Sequence, residues 1–455
     1  MRKDSGMRIP SRVAVWLCIG VLCLGTRARA EEEQWTRALR TQLEKSCQEG
    51  SAGALCALEG LERRRLFEDI YEYSLRLQVG PGVHDVITLH RVVREASAGV
   101  PVRAPKSVFL VHGDVWGFRG AFLSSAESTE VLRQQSFAIF LARQGVDVWG
   151  IDLRWVHVPA TVTDFSFMKD WNLGLHARDV GLGLALARSM RVLDGNAWGR
   201  MALLGWSRGA AVSYAYLNAE TQLPPELRQV SGFIPVDMAY TLEEPLLREN
   251  ACKGYAILDS QLKAKVYGID IGARLQRIGT LALSRPEEPS PIRAGLTNRQ
   301  LGLFVGSATY ALQEPVIIPE YHFTGGQFSG FVPSGLSWTR ERFFFEGLMQ
   351  AAPYQSLGEQ VDTLAMWCGA PDVPYDDHLS EVTVPVLYMG AAGGVGSFGL
   401  HSLTLLGSTD VSSRVVQLLP DASARPVDFG HVDLFEAGNA ETLVWTPILD
   451  WLRHH

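Results

Sequence analysis

The chain has 455 residues, of which 47% are hydrophobic and 20% charged. That balance excludes a disordered or collagen-like chain and leaves enough apolar material for a sizeable core, in one α/β unit with a large insertion or in several domains. A net charge of −7 argues against a nucleic-acid partner, whose phosphates call for a basic surface.

Arg2, Lys3, Arg8 and Arg12 precede an apolar run over residues 13–24, and Ala28-Arg29-Ala30 then places small residues where a signal peptidase reads. This predicts a cleaved signal peptide over residues 1–30 and a secreted or periplasmic protein. The thirty residues hold six Lys/Arg against one Asp, so their removal takes the charge from −7 to −12. The apolar run is shorter than the ~20 residues a span needs. With no later stretch long enough, no stable membrane span is expected after cleavage.

Cys18 and Cys23 lie in the leader, and Cys47, Cys56, Cys252 and Cys368 remain. An even number in an exported chain predicts two disulfides with three possible pairings. Cys47–Cys56 is favoured by proximity, and Cys252–Cys368 would tie the ends of one long insertion. No pair has zinc-knuckle spacing.

Residues 31–72 are rich in Glu, Arg and Leu and read as an N-terminal helical extension, with Arg63-Arg64-Arg65 on a solvated helix face. Over 73–79 and 86–93 apolar and polar residues alternate around Pro81-Gly82, which predicts an antiparallel hairpin. Short continuous apolar runs follow at 107–111, 146–151, 201–205, 231–236, 384–389 and 415–419. Helical periodicity separates them at 131–143, 173–190, 208–218, 398–407 and 440–453. Strands apolar on both faces and alternating with helices predict a doubly wound, mostly parallel α/β sheet with the hairpin at its edge. The core would span 73–237 and 381–455. Between its parts, 238–380 breaks the alternation with prolines, glycines and aromatics, and reads as a mostly helical cap.

Gly205-Trp206-Ser207-Arg208-Gly209 follows one buried strand and opens a helix. A sharp strand-to-helix turn strains the serine, and side chains two residues to either side would collide across it. Ser207 is therefore the candidate nucleophile. It needs a base, and His431, between the last strand and the last helix, would project over the C-terminal edge of the sheet. His157, His176, His322, His378 and His401 have no comparable context. In Leu110-Val111-His112-Gly113-Asp114 the glycine lets backbone approach substrate, so the N–H of Asp114 can join that of Arg208 in an oxyanion hole. His112 reads as a structural residue of that turn. Trp116, Trp206 and Trp155 adjoin these segments and are candidate walls of an apolar substrate pocket.

With strand-turn, elbow and terminal histidine in this order, residues 73–452 resemble the α/β-hydrolase superfamily, specifically capped serine hydrolases of the esterase and lipase type. The resemblance implies hydrolysis of a small-molecule or lipid-like acyl ester through an acyl-enzyme. One feature departs from the family. The loop after strand 384–389, where the triad acid usually sits, reads Gly390-Ala391-Ala392-Gly393-Gly394-Val395-Gly396 and has no carboxylate. Asp237, at the end of the strand after the elbow, is the first alternative and Asp410 the second, with Asp433, Asp421 and a triad lacking an acid behind them. No His-Glu-x-x-His or phosphate-binding Gly-Lys loop is present, so neither metal nor cofactor is expected. Asp376-Asp377-His378 reads as an exposed acidic turn. A secreted peptidase or amidase, or a catalytically dead binding module, remains the rival reading.

Overall fold

Strands that are apolar on both faces need cover on both sides, and the computed structural model, which describes residues 57–455, supplies it. The main sheet comprises β1 (Ala57–Phe67), β2 (Ile70–Gln78), β3 (Val86–Ser97), the short β4 (Val100–Pro101), β5 (Lys106–Val111), β6 (Val146–Asp152), β7 (Met201–Trp206), β8 (Val230–Val236), β9 (Val386–Ala391) and β10 (Val411–Val416). Their spatial order is β1-β2-β3-β6-β5-β7-β8-β9-β10, with β4 paired to β3. The first four in that order pair antiparallel, and every pair from β6 to β10 is parallel.

Alternate residues of one strand feed two separate cores. Val108 and Leu110 pack with α1 (Phe137–Arg143) and the C-terminal helix on one face. Phe109 and Val111 pack on the other with α2 (Leu173–Leu193) and α3 (Arg208–Glu220). Between β8 and β9 the chain leaves the sheet and forms a cap of α4 (Pro245–Lys263), α5 (Ile271–Ser284), α6 (Asn298–Ser307), α7 (Glu341–Met349) and α8 (Leu357–Cys368). Two small antiparallel pairs, Gly326–Ser329 with Val332–Leu336 and Gly268–Ile269 with Gln355–Ser356, complete it. A disulfide joins Cys252 in α4 to Cys368 at the end of α8. Cys47, Cys56 and the leader lie outside the described residues. Among the described residues no helix is long and apolar enough to cross a membrane.

The structure corrects the helical extension. Its described part, 57–72, forms β1 and the start of β2, so the sheet already includes residues before 73. The Glu/Arg/Leu content favours a helix locally. Pairing with β2 overrides it, and Arg64 meets Glu72 on β2 while Arg63 reaches Glu95 on β3. Arg63-Arg64-Arg65 is thus part of an edge strand, where charge discourages further pairing, and Arg63 lies 4.0 Å from the Tyr71 ring centroid.

Smaller boundary corrections have local causes. The helix expected at 131–143 starts at Phe137, after Ser136, whose backbone is extended and whose hydroxyl accepts the Ser125 N–H. The strand expected at 415–419 is β10, displaced towards its N-terminus, since the Leu418 and Leu419 amides turn away to the Asp428 carboxylate. Residues 396–405 form 3₁₀ turns rather than an α-helix. The last helix starts with a π turn at Glu441–Trp445 and becomes α9 (Thr446–His454) at Pro447, which has no N–H to donate.

Candidate active site

Strand β7 runs into α3 through Ser207, whose φ of 55° and ψ of −131° lie in a region an L-residue rarely adopts. The two glycines are what allow it. A Cβ on Gly205 would fall 2.4 Å from the Gly209 carbonyl, and one on Gly209 would fall 2.2 Å from the Val111 carbonyl. The strain is held by the Ser207 N–H, which donates to the Val236 carbonyl at 2.9 Å. Ser207 therefore stands at the C-terminal edge of the sheet, where it lines a cavity shared with the cap. Gly113 completes the close approach, since a Cβ there would lie 2.6 Å from that of Ser207.

His431 follows β10 and is buried beside the indole of Trp206, with ring centroids 5.1 Å apart. Its Nδ1 lies 2.6 Å from Asp237 Oδ2. Asp237 ends β8 with φ of 49° and is fully buried. The glycine-rich loop that lacks a carboxylate supplies the cradle for this one. The amides of Ala391 and Gly396 donate to Asp237 Oδ1 at 2.9 and 2.8 Å, and that of Val395 to Oδ2 at 3.1 Å. An acceptor on Nδ1 fixes the imidazole as the tautomer whose Nε2 is free to take a proton. Asp410 is elsewhere: it is exposed and sits 3.2 Å from His455 Nε2. Asp433 is also close in sequence but faces away, accepting from Gly325, Gly430 and Thr339. Asp421 caps an exposed turn through the Ser423 amide.

Ser207 and His431 open together onto a cavity of about 640 Å³. Asp114, Arg208, Trp116 and Trp206 line the same cavity. Its far wall is apolar and comes from the cap, including Leu275, Ile278, Leu301, Val305, Ile317 and Ile318. Among the described residues neither the Asp114 nor the Arg208 backbone N–H has an acceptor, so both are available to a ligand. Arg208 Nη2 donates to Asp114 Oδ2 at 2.7 Å, and Nε to Oδ1. Burial alone would raise the Asp114 carboxyl, but the guanidinium beside it wins and holds it below the usual carboxylate range.

Trp155 does not line the cavity. It is buried behind the His112–Asp114 turn with its ring edge-on to His112, centroids 5.1 Å apart. Adjacency in sequence placed it near the site, but the chain turns its indole into the core. His112 donates from Nδ1 to the Gly113 carbonyl at 2.9 Å and accepts the Leu153 amide on Nε2 at 3.1 Å. Both nitrogens are used, and burial lowers its pKa, so it is a neutral strut of the turn. Sequence reading also missed three cap residues. Tyr321 lies 5.3 Å from the His431 ring, the His322 carbonyl accepts the His431 N–H at 3.0 Å, and Gln355 reaches Asp114. Nothing local in the sequence marks them, because the cap folds back across long separations to reach the site.

This architecture recurs in solved structures. A candidate lipase from Sulfolobus solfataricus superposes with a TM-score of 0.56 at 18% identity, covering 87% of this chain and 99% of that one. The chain has the α/β-hydrolase fold. Looser matches to the same fold include a monoglyceride lipase from Saccharomyces cerevisiae, with TM-score 0.44, 14% identity, and 89% and 98% of the two chains covered. A thermophilic esterase from Thermogutta terrifontis gives 0.38, 15%, 84% and 98%. No protein-family model matches the chain, and no curated protein sequence does either.

Proposed function

We propose that the protein is an exported serine hydrolase that cleaves carboxylic esters through an acyl-enzyme. The observation that carries this reading is the meeting of a strained serine elbow with the buried His431–Asp237 pair over one apolar cavity. Ser207 Oγ attacks the ester carbonyl while His431 Nε2 takes its proton. The amides of Arg208 and Asp114 receive the oxyanion, and the fixed dipole of α3 favours the charge developing there. His431 returns the proton to the departing alkoxide. Water, activated by the same imidazole, then releases the acid. Asp237 orients the imidazole and offsets the positive charge it gains.

An apolar cap wall supports a substrate with a hydrocarbon acyl or alcohol part, and ester cleavage asks less of the leaving group than amide cleavage. The basic leader followed by an apolar run supports export. The test is turnover of p-nitrophenyl esters of increasing chain length beside aminoacyl anilides, with Ser207→Ala as control. Ester turnover should fall by several orders of magnitude in that variant, together with loss of fluorophosphonate labelling. Wild-type turnover in the Ala variant removes Ser207 from the mechanism. Faster cleavage of anilides than esters makes the protein an amidase, and an unlabelled, inactive wild type makes it a binding module.

A further inference from the structure

The two amides placed to receive an oxyanion belong to different loops. Asp114 follows β5 and Arg208 opens α3, and 94 residues separate them. Their side chains close the gap. The Arg208 guanidinium grips both oxygens of Asp114 in a fork. Its remaining nitrogen, Nη1, donates to the Glu359 carbonyl at 2.9 Å and to the Thr363 hydroxyl, both on α8. Gln355, just ahead of α8, donates from Nε2 to Asp114 Oδ1 at 3.0 Å. Arg208 is 8% exposed and its contacts to α8 are buried, while the Asp114 end of the fork is partly open.

Resting on the ester-hydrolase reading, we propose that the Arg208–Asp114 side-chain pair is the positioning device of the oxyanion hole and that the cap, through α8 and Gln355, holds it in register. A forked guanidinium–carboxylate contact fixes distance and plane together, which a point charge does not. Each side chain is carried by the residue whose amide must aim at the oxyanion, so fixing the pair fixes the spacing of the amides. The fork also neutralises a carboxylate that would otherwise oppose negative charge beside Ser207. The cap thereby acts on the chemical step as well as on substrate fit. Arg208 and Asp114 act here through their backbone amides, and their side chains are positioning groups.

The test uses Arg208→Lys, which keeps the charge and loses the fork, and the double variant Arg208→Met/Asp114→Leu, which leaves no lone buried charge and so guards against failure to fold. Active sites are titrated with a fluorophosphonate, and kcat per titrated site and KM are measured on a p-nitrophenyl ester. Both variants should lose about ten- to a hundredfold in kcat per titrated site with KM nearly unchanged, as when an oxyanion donor is misplaced. A merely structural role would lower the number of titratable sites and leave kcat per site intact, which overturns the proposal. So does wild-type kcat in Arg208→Lys, or recovery of wild-type kcat in the double variant. A wild type that neither turns over ester nor takes the label overturns the ester-hydrolase reading itself, and the proposal with it.

Discussion

Asp237 and His431 are 194 residues apart in the chain, and their Oδ2 and Nδ1 atoms are 2.6 Å apart in the fold. The whole cap is inserted between them. Their meeting depends on β8 and β9 being parallel neighbours, with Met389 opposite Val236 and the Met389 carbonyl accepting the Asp237 amide at 2.7 Å. Asp237 is thus carried to the sheet edge by one strand and received by the loop of the next. A carboxylate with three amide donors and one imidazole around it has its acceptor capacity well used.

Asp237→Asn should lower kcat on an ester by about three to four orders of magnitude, the usual loss when a triad acid is made an amide. An amide at this position would also turn an NH₂ group towards donors. Asp410→Asn should leave kcat unchanged, because that carboxylate faces solvent and His455. Steady-state kinetics of the two purified variants decide the matter, and the reverse ranking would remove Asp237 from the relay.

Gly394 offers a narrower probe of the same cradle. A Cβ there would lie 2.0 Å from Asp237 Oδ2, so an alanine must push the carboxylate or the loop aside. Gly394→Ala should reduce kcat by about a hundredfold, the scale on which a displacement of 1 Å acts in a preorganised site. Full activity in a folded Gly394→Ala protein would show that the loop gives way without moving the acid.

The parts of this site that sequence carries locally are legible there. Gly205, Ser207 and Gly209 show an elbow because their spacing answers a short-range collision, and His431 follows from its place between strand and helix. The acid is half legible. The loop Gly390–Gly396 lacks the usual carboxylate and the sequence puts Asp237 ahead of Asp410, but only the placement of β9 between β8 and β10 explains how Asp237 comes to meet His431. Trp155 illustrates the opposite error, since nearness in sequence does not say which way an indole points. β1 is misread for a related reason: its helix-favouring residues are recruited into a strand by Glu72 and Glu95, which belong to other strands. Tyr321 and Gln355 carry no local signal at all.

The cap disulfide supports a second kind of prediction. Cys252 and Cys368 are separated by 116 residues and join α4 to α8, the helix that touches Arg208. Closing a loop of that length restricts the unfolded chain by about 4 to 5 kcal/mol in the chain-entropy account. Cys252→Ser/Cys368→Ser should therefore melt several degrees lower than the parent, and alkylation without reduction should modify neither cysteine in the parent. Differential scanning calorimetry and peptide mass spectrometry are the measurements. Free thiols at both positions would discard the bond.

Stability is also tied to pH through the polar core beside the His112–Asp114 turn. His90 lies between two carboxylates, with Nδ1 2.8 Å from Glu72 Oε1 and Nε2 3.0 Å from Asp152 Oδ2. Burial opposes its charge, but Asp152 and Glu72 outweigh burial and raise its pKa from the ordinary 6.5 to about 9. Asp152 in turn accepts the Phe118 amide at 2.6 Å, which fixes the segment leading out of the His112–Asp114 turn. A group whose pKa is higher folded than unfolded binds its proton more tightly in the folded state. Its stabilisation is complete below the unfolded pKa near 6.5 and fades as pH rises through about 9. Compared with His90→Gln, the parent should have its largest advantage in melting temperature at about pH 6 and lose most of it by about pH 10. The difference between two proteins in the same buffers isolates this site from other groups that titrate in the alkaline range. A gap that stays constant from pH 6 to 10 would mean that His90 is neutral between its carboxylates.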